Sequence, residues 1–201
     1  MSERDWVAWH AAYDDPQSRL SRRLLVVQRR IGEALDAAPP GRVRVASLCA
    51  GDGRDLLGVL ERHARAPEVA AVLVEQQPDL AARARERASG IAGVRVVTGD
   101  AALVDTWRDV VPVDLLLLCG IFGNVDDADI ARTIAALPGL CRPGATVIWT
   151  RHRRPPDLVP TVAEWFAAAG FEVTSVDDTA DGQACVGVGV RRGDGRLFAF
   201  H

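Results

Sequence analysis

Three points along the chain combine glycine or carboxylate with an apolar run just before them: Gly51-Asp52-Gly53, Glu75 and Asp100. A glycine turn lets the backbone approach a ligand closely, because no Cβ intervenes and positive φ is open to it. A helix beginning behind such a turn offers unpaired N–H groups and a partial positive charge, which suit a carboxylate or a phosphate. An acid ending the next strand is placed to accept hydrogen bonds from vicinal ribose hydroxyls. An acid ending the strand after that can accept from an exocyclic adenine amine. Singly, each is an ordinary strand end or helix cap. Together, at intervals of 24 and 25 residues, they describe a crevice for an adenosine along one edge of a sheet. The dinucleotide fingerprint G-x-G-x-x-G is incomplete here, since G-D-G-R-D-L places Leu56 where the third glycine belongs.

The elements that must position these residues are legible in the apolar pattern. Val43, Val45 and Ala46 to Ala50 form a run apolar on both faces, as a buried parallel strand requires. A helix over 55–66 follows. Then come a strand from Val69 to Val74 ending at Glu75, a helix over Pro78 to Ala88, and a strand from Gly93 to Thr98 ending at Gly99-Asp100. A short helix or loop over 101–110, a strand from Asp114 to Cys119, a helix from Asp126 to Leu137, a strand from Ala145 to Trp149 and a helix from Val159 to Ala169 complete the alternation. Phe171 to Val176 and Cys185 to Val190 are two strands joined by the polar stretch DDTADGQA, hence antiparallel. The pattern predicts an α/β fold: a doubly wound, mostly parallel seven-stranded sheet with an antiparallel C-terminal edge.

Residues 1–40 precede this alternation. Residues 3–13 carry Trp6, Trp9 and Tyr13 at helical spacing, Asp14-Asp15-Pro16 supplies a cap and a helix-starting proline, and Leu20, Leu24, Val27, Ile31 and Leu35 line one face of a second helix. The aromatic stripe either packs on the sheet edge or covers the crevice as a lid. Residues 41–201 then form the binding unit, and the whole chain is expected to be one domain.

Composition excludes several classes. A hydrophobic content of 48% with 25% charged residues is ordinary for a globular chain. All 24 basic residues are arginine, and a net charge of -3 argues against a broad surface for DNA or RNA. Cys49, Cys119, Cys141 and Cys185 are far apart and form no C-x-x-C pair, so neither a disulfide frame nor a zinc site is expected. The start MSERDWVAWH lacks the apolar core of a signal peptide, and no apolar run reaches the length of a membrane span. A cytoplasmic protein is expected.

On these residues the chain resembles the class I S-adenosylmethionine-dependent methyltransferases of the small-molecule type, from about Val43 to Val190. The late pattern A-L-P-G-L-C-R-P-G-A-T-V-I-W, before and through the fifth strand, belongs to the same likeness. The resemblance implies a Rossmann-like fold and S-adenosyl-L-methionine as cofactor, with S-adenosyl-L-homocysteine as product. Its glycine-rich loop falls on Ala50, Gly51 and Gly53, with Asp52 between the glycines. The ribose-binding acid falls on Glu75 with Gln76 beside it, the adenine-contacting acid on Asp100 with Ala101, and the fourth-strand exit on Cys119 and Gly120. Ser47 and Cys49 stand where the family has an acid and its first glycine, leaving Asp52 or Asp55 to serve the methionine end.

Methyl transfer to an oxygen, nitrogen or carbon nucleophile is largely a matter of positioning, sometimes with a general base. Trp9, Tyr13 and Phe122 are the aromatic candidates for the sulfonium. His10, His152 and Tyr13 are the candidate groups near the acceptor, and ordinary packing is the competing explanation for each. Arg151, Arg153 and Arg154 either bind an acidic acceptor or are simply solvated. The fourth-strand exit, Cys119 to Asn124, has no Asn/Asp-Pro-Pro-aromatic signature, so adenine methylation of nucleic acid is not expected. Asp126, Asp127 and Asp129 are explained by helix capping, so no metal is expected. A small-molecule acceptor is expected, as monomer or homodimer alike. A non-catalytic cofactor binder and a nicotinamide dehydrogenase are the alternatives.

Overall fold

The structure is a computed structural model that describes residues 11–193. Seven strands form one sheet: β1 (Val43–Leu48), β2 (Val69–Glu75), β3 (Val94–Thr98), β4 (Val113–Leu118), β5 (Cys141–His152), β6 (Phe171–Asp178) and β7 (Ala184–Arg191). Their order is β3-β2-β1-β4-β5-β7-β6. The first five run parallel, and β7 lies antiparallel between β5 and β6. The chain winds outward from β1 through β2 to β3, then returns to the other side of β1 at β4. The carboxyl ends of β1 and β4 therefore flank a topological switch point, where open α/β sheets form ligand crevices.

Among the described residues five α-helices cover the sheet: α1 (Arg19–Ala37), α2 (Leu56–Leu60), α3 (Pro78–Ala88), α4 (Asp127–Leu140) and α5 (Val159–Ala168). The strands alternate side chains between two apolar layers. Ala46, Leu48, Leu116, Leu118 and Trp149 pack toward Ile130, Ile134, Val162 and Phe166 of α4 and α5. Val45, Leu73, Leu115, Leu117 and Ile148 pack toward Val27, Ile31 and Leu35 of α1 and Leu56 and Leu57 of α2. Gly187 of β7 makes room for the Trp149 indole, since a Cβ there would lie 2.1 Å from its ring. The antiparallel edge is thus shaped around one large aromatic residue. Helix α1 is tied to β6 by Arg30, which donates from Nε and Nη2 to the two oxygens of Asp177 at 2.7 Å each.

Three local expectations are corrected. The cap of α1 is Ser18, whose hydroxyl accepts from the Ser21 N–H at 3.1 Å, whereas the Asp15 carboxylate turns back on the Gln17 N–H. The helix expected over 55–66 stops at Leu60. The Arg62 N–H bonds the Val59 carbonyl, three residues back, in a tightened last turn, and Pro67 lies in a separate 3-10 turn (Ala66–Glu68). Helix α4 continues through Pro138 to Leu140, and β5 begins at once with Cys141. Asp126 caps α4 by accepting the Asp129 N–H at 2.7 Å. The stripe residues Trp6 and Trp9 lie outside the described residues, and Tyr13 sits in a 3-10 turn (Ala11–Asp14).

Candidate active site

Glu75, at the end of β2, joins two strand ends. Its Oε2 accepts the Gly51 N–H at 2.7 Å and its Oε1 accepts the Gln77 N–H at 2.8 Å. The carboxylate is buried apart from an edge on the crevice, and each oxygen keeps a lone pair beyond its backbone bond. One strand further, Asp100 is exposed on the same crevice. Its Oδ1 accepts the Ala102 N–H at 2.9 Å, and Trp107 pins the loop by donating from Nε1 to the Ala101 carbonyl at 3.2 Å. Gln76, Ala101, Ala50, Cys119 and Gly120 complete the wall predicted from the sequence.

The glycine loop works differently from the expectation. Gly51 and Gly53 are buried and do not line the crevice. The Gly51 N–H is committed to Glu75, and a Cβ on Gly53, at φ +73°, would meet the Leu57 and Leu73 side chains at 2.7 Å. They shape the turn, and Ala50 and Cys49 present its surface. Cys49 holds a left-handed backbone, at φ 53°, which ordinarily favours glycine. A side chain there costs about 1–2 kcal/mol. Cys49→Gly is therefore expected to raise the melting temperature by about 2–8 °C. An unchanged or lower value in a thermal melt would mean that the thiol makes compensating contacts.

The loop's two acids diverge. Asp52 is held by Arg54, with Nε–Oδ1 at 2.9 Å and Nη2–Oδ2 at 2.6 Å. Burial opposes its charge, but the bonds and charge of Arg54 prevail and keep the carboxyl below its ordinary range. The Arg54 guanidinium in turn lies over the Tyr13 ring, 4.5 Å from its centre. Asp55 caps α2 by accepting the Leu56 N–H at 2.7 Å, and burial pushes its carboxyl up to about 6 despite that bond. It faces the crevice together with Tyr13, Arg23 and Cys119. Tyr13 accepts from Arg23 Nη2 at 3.1 Å, and burial raises its phenol above the usual value, so it stays protonated.

A second cavity of about 550 Å³ opens beside the first, past the ends of β4, β5 and β7. The two share Arg23, Gly120 and Asn124 in their walls. Thr150 fixes the partition by accepting the Gly120 N–H at 2.8 Å. His152 lies on this second cavity rather than on the crevice. Burial, with Arg151 and Arg154 beside it, lowers its pKa, and its Nδ1 accepts the Arg154 N–H at 3.3 Å. With Nδ1 accepting, the neutral ring carries its proton on Nε2 and can act as a donor there.

One further predicted site residue, Phe122, is not brought there. Phe122 is wholly buried, its ring tilted against those of Trp149 and Phe166 with centres 6.1 and 6.4 Å away. The turn at Gly120 directs its neighbour Ile121 to the crevice instead. His10 lies outside the described residues. Conversely, Arg23, Leu24, Leu80, Ile121, Asn124 and Val125 line the crevice without having been predicted. Arg23 and Leu24 both come from α1: Leu24 belongs to its apolar stripe, which reads as core packing and not as a crevice wall, and Arg23 lies off the stripe altogether.

The chain matches no family model, and it matches no curated protein. Its fold is that of solved methyltransferases. Magnesium protoporphyrin IX methyltransferase from Synechocystis PCC 6803, solved with bound S-adenosylmethionine, aligns at TM-score 0.72 and 12% identity over 92% of this chain and 90% of that one. The N-methyltransferase NodS from Bradyrhizobium japonicum WM9 aligns at 0.67 and 12% identity over 89% and 100%. The CurJ carbon methyltransferase aligns at 0.71 and 15% identity over 92% of this chain and 58% of that one. The chain thus has the seven-stranded Rossmann-like methyltransferase fold. No described helix is long and apolar enough to cross a membrane.

Proposed function

We propose that the protein is an S-adenosylmethionine-dependent methyltransferase acting on a small-molecule acceptor. The observation that carries this is the Glu75 carboxylate, fixed across the ends of β1 and β2 with lone pairs facing the same crevice as Asp100. In this assignment Glu75, with Gln76, holds the ribose, and Asp100, with Ala101, holds the adenine. The methionine end lies toward Tyr13, Arg23, Asp55 and Cys119. Ser47 is buried within β1, and Asp52 is engaged by Arg54, so Asp55 takes the α-ammonium in place of the absent strand-end acid. The crevice carries four carboxylates against two guanidiniums, a balance that favours a cationic ligand.

When bound, S-adenosylmethionine supplies an electrophilic methyl group on a sulfonium. The chain's own part is to orient and to exclude water. Tyr13, clamped between Arg54 and Arg23, lines the crevice, and the turn that carries it (Ala11–Asp14) serves as a lid within a single catalytic unit. The acceptor enters by the second cavity, where His152 donates from Nε2 to orient it. The attacking oxygen, nitrogen or carbon meets the methyl near Gly120, where the walls of the two cavities join. No step is assigned to a metal.

Calorimetric titration with S-adenosylmethionine, S-adenosylhomocysteine and NAD tests the assignment. Micromolar binding of both sulfur compounds, with none of NAD, is expected. Binding of NAD alone would transfer the crevice to a dehydrogenase, and binding without turnover on any acceptor would make the protein a cofactor binder.

A further inference from the structure

The two cavities differ in charge. The chain as a whole is acidic at -3, and the crevice is acidic too. The second cavity is lined by four arginines, Arg19, Arg23, Arg151 and Arg154, and by one carboxylate, Asp181. That single acid is taken by Arg19, at 3.0 Å. Arg151 is committed to the cavity wall: its Nη1 donates to the Phe122 carbonyl, and its Nη2 lies 3.7 Å from Asp127.

Two guanidiniums remain. Among the described residues Arg154 has no carboxylate within ion-pair distance, and Arg23 donates only to the neutral Tyr13 hydroxyl. The Arg23 guanidinium is half-buried and has lost part of its hydration, whereas the exposed Arg154 guanidinium presents its full donor fork at the cavity's edge; each gains from an anion that accepts bidentate hydrogen bonds. Between two of these arginines, Arg151 and Arg154, stands His152, whose pKa burial and then their charges depress, so it adds no negative charge to the lining. Thr150, Thr179 and Gln183 add neutral polar groups, so nothing else in the lining supplies the missing negative charge.

We infer that the acceptor carries an anionic group, a carboxylate or a phosphate monoester, which Arg154 receives within the second cavity while Arg23 at the partition adds its field. The inference rests on the methyltransferase assignment, because it takes this cavity as the acceptor's. It also fits the chemistry there. An anion in the second cavity and a cationic sulfonium in the crevice attract each other across Gly120, and each lies in surroundings of opposite charge to its own.

The test uses the full-length protein saturated with S-adenosylhomocysteine, titrated with benzoate, phenyl phosphate and benzamide as size-matched probes and followed by NMR shift changes. At least one anion is expected to bind about tenfold more tightly than benzamide, equivalent to one charge-assisted pair. The better anion identifies the group. Arg154→Gln is expected to remove that preference, and Arg154→Lys to restore part of it, both with S-adenosylhomocysteine affinity unchanged. Arg154 is exposed, so neither variant threatens folding. Benzamide binding as tightly as the anions, no probe binding at all, or an anion preference that survives Arg154→Gln would overturn the inference. Failure of S-adenosylhomocysteine itself to bind would instead overturn the cofactor assignment.

Discussion

Replacing Glu75 by alanine is expected to weaken S-adenosylhomocysteine binding by about 100-fold or more, because two charge-assisted bonds to the ribose disappear at once. The same substitution leaves the Gly51 and Gln77 N–H groups without their acceptor. Each orphaned buried donor costs about 1–3 kcal/mol, so the variant should also melt earlier. Loss of affinity alone would therefore not separate a ribose contact from a distorted loop. Adenosine and adenine make that separation. If Glu75 holds the ribose, adenosine binding falls with that of S-adenosylhomocysteine while free adenine, which meets only the Asp100 and Ala101 end, binds as before. If adenine binding collapses too, Glu75 is a structural clamp and the ribose assignment fails. Calorimetry on the two variants Glu75→Ala and Asp100→Ala, compared over these three ligands, reads the result directly.

The sheet and three of its strand ends were legible because parallel strands buried on both faces leave long apolar runs, and each run here stops at a residue with an obvious chemical role. Helix α3 was found to the residue, since Pro78 starts it and its arginines mark the outer face. Other features were not encoded locally. Whether Ile121 or Phe122 faces the crevice depends on how a tight turn is rotated, and both are large and apolar. The length of α2 depends on how the chain closes after Leu60, where the composition still favours helix. Arg23 reaches the site only because the N-terminal turns of α1 cross the switch point, a fact of packing that its own periodicity does not carry. The different fates of Asp52 and Asp55 follow the same logic. They stand three residues apart in one loop, yet Arg54 folds onto the first and leaves the second facing the crevice.

That difference makes Asp55 the most informative titrating group in the molecule. Burial raises its carboxyl from an ordinary 3.8 to about 6, so the folded apo protein holds this proton more tightly than the unfolded chain does. Its contribution to apo stability is therefore greatest below about pH 4, declines as pH rises toward 6, and is lost above that. Ligand binding has the opposite sign. An α-ammonium needs the ionised carboxylate, so S-adenosylhomocysteine affinity should rise between pH 5 and pH 7, with a proton released on binding near pH 6. Asp55→Asn should abolish both trends at once. It should stabilise the apo protein at pH 7 and weaken S-adenosylhomocysteine by about 10- to 100-fold, the loss of one charged hydrogen bond. 5′-Methylthioadenosine, which lacks the amino-acid end, should bind wild type and variant alike. Melting curves over the pH range, with calorimetry in two buffers of different ionisation enthalpy, measure the stability and the proton release separately. If the apo protein gains stability in Asp55→Asn while S-adenosylhomocysteine keeps its affinity, Asp55 is buried strain without a ligand, and the methionine end must be held by another group. If both ligands weaken equally, the substitution has disturbed the crevice as a whole. Only a loss confined to the ligand with the ammonium, vanishing below pH 6 in the wild type, is the signature of a carboxylate kept poorly solvated until a cation arrives to pair with it.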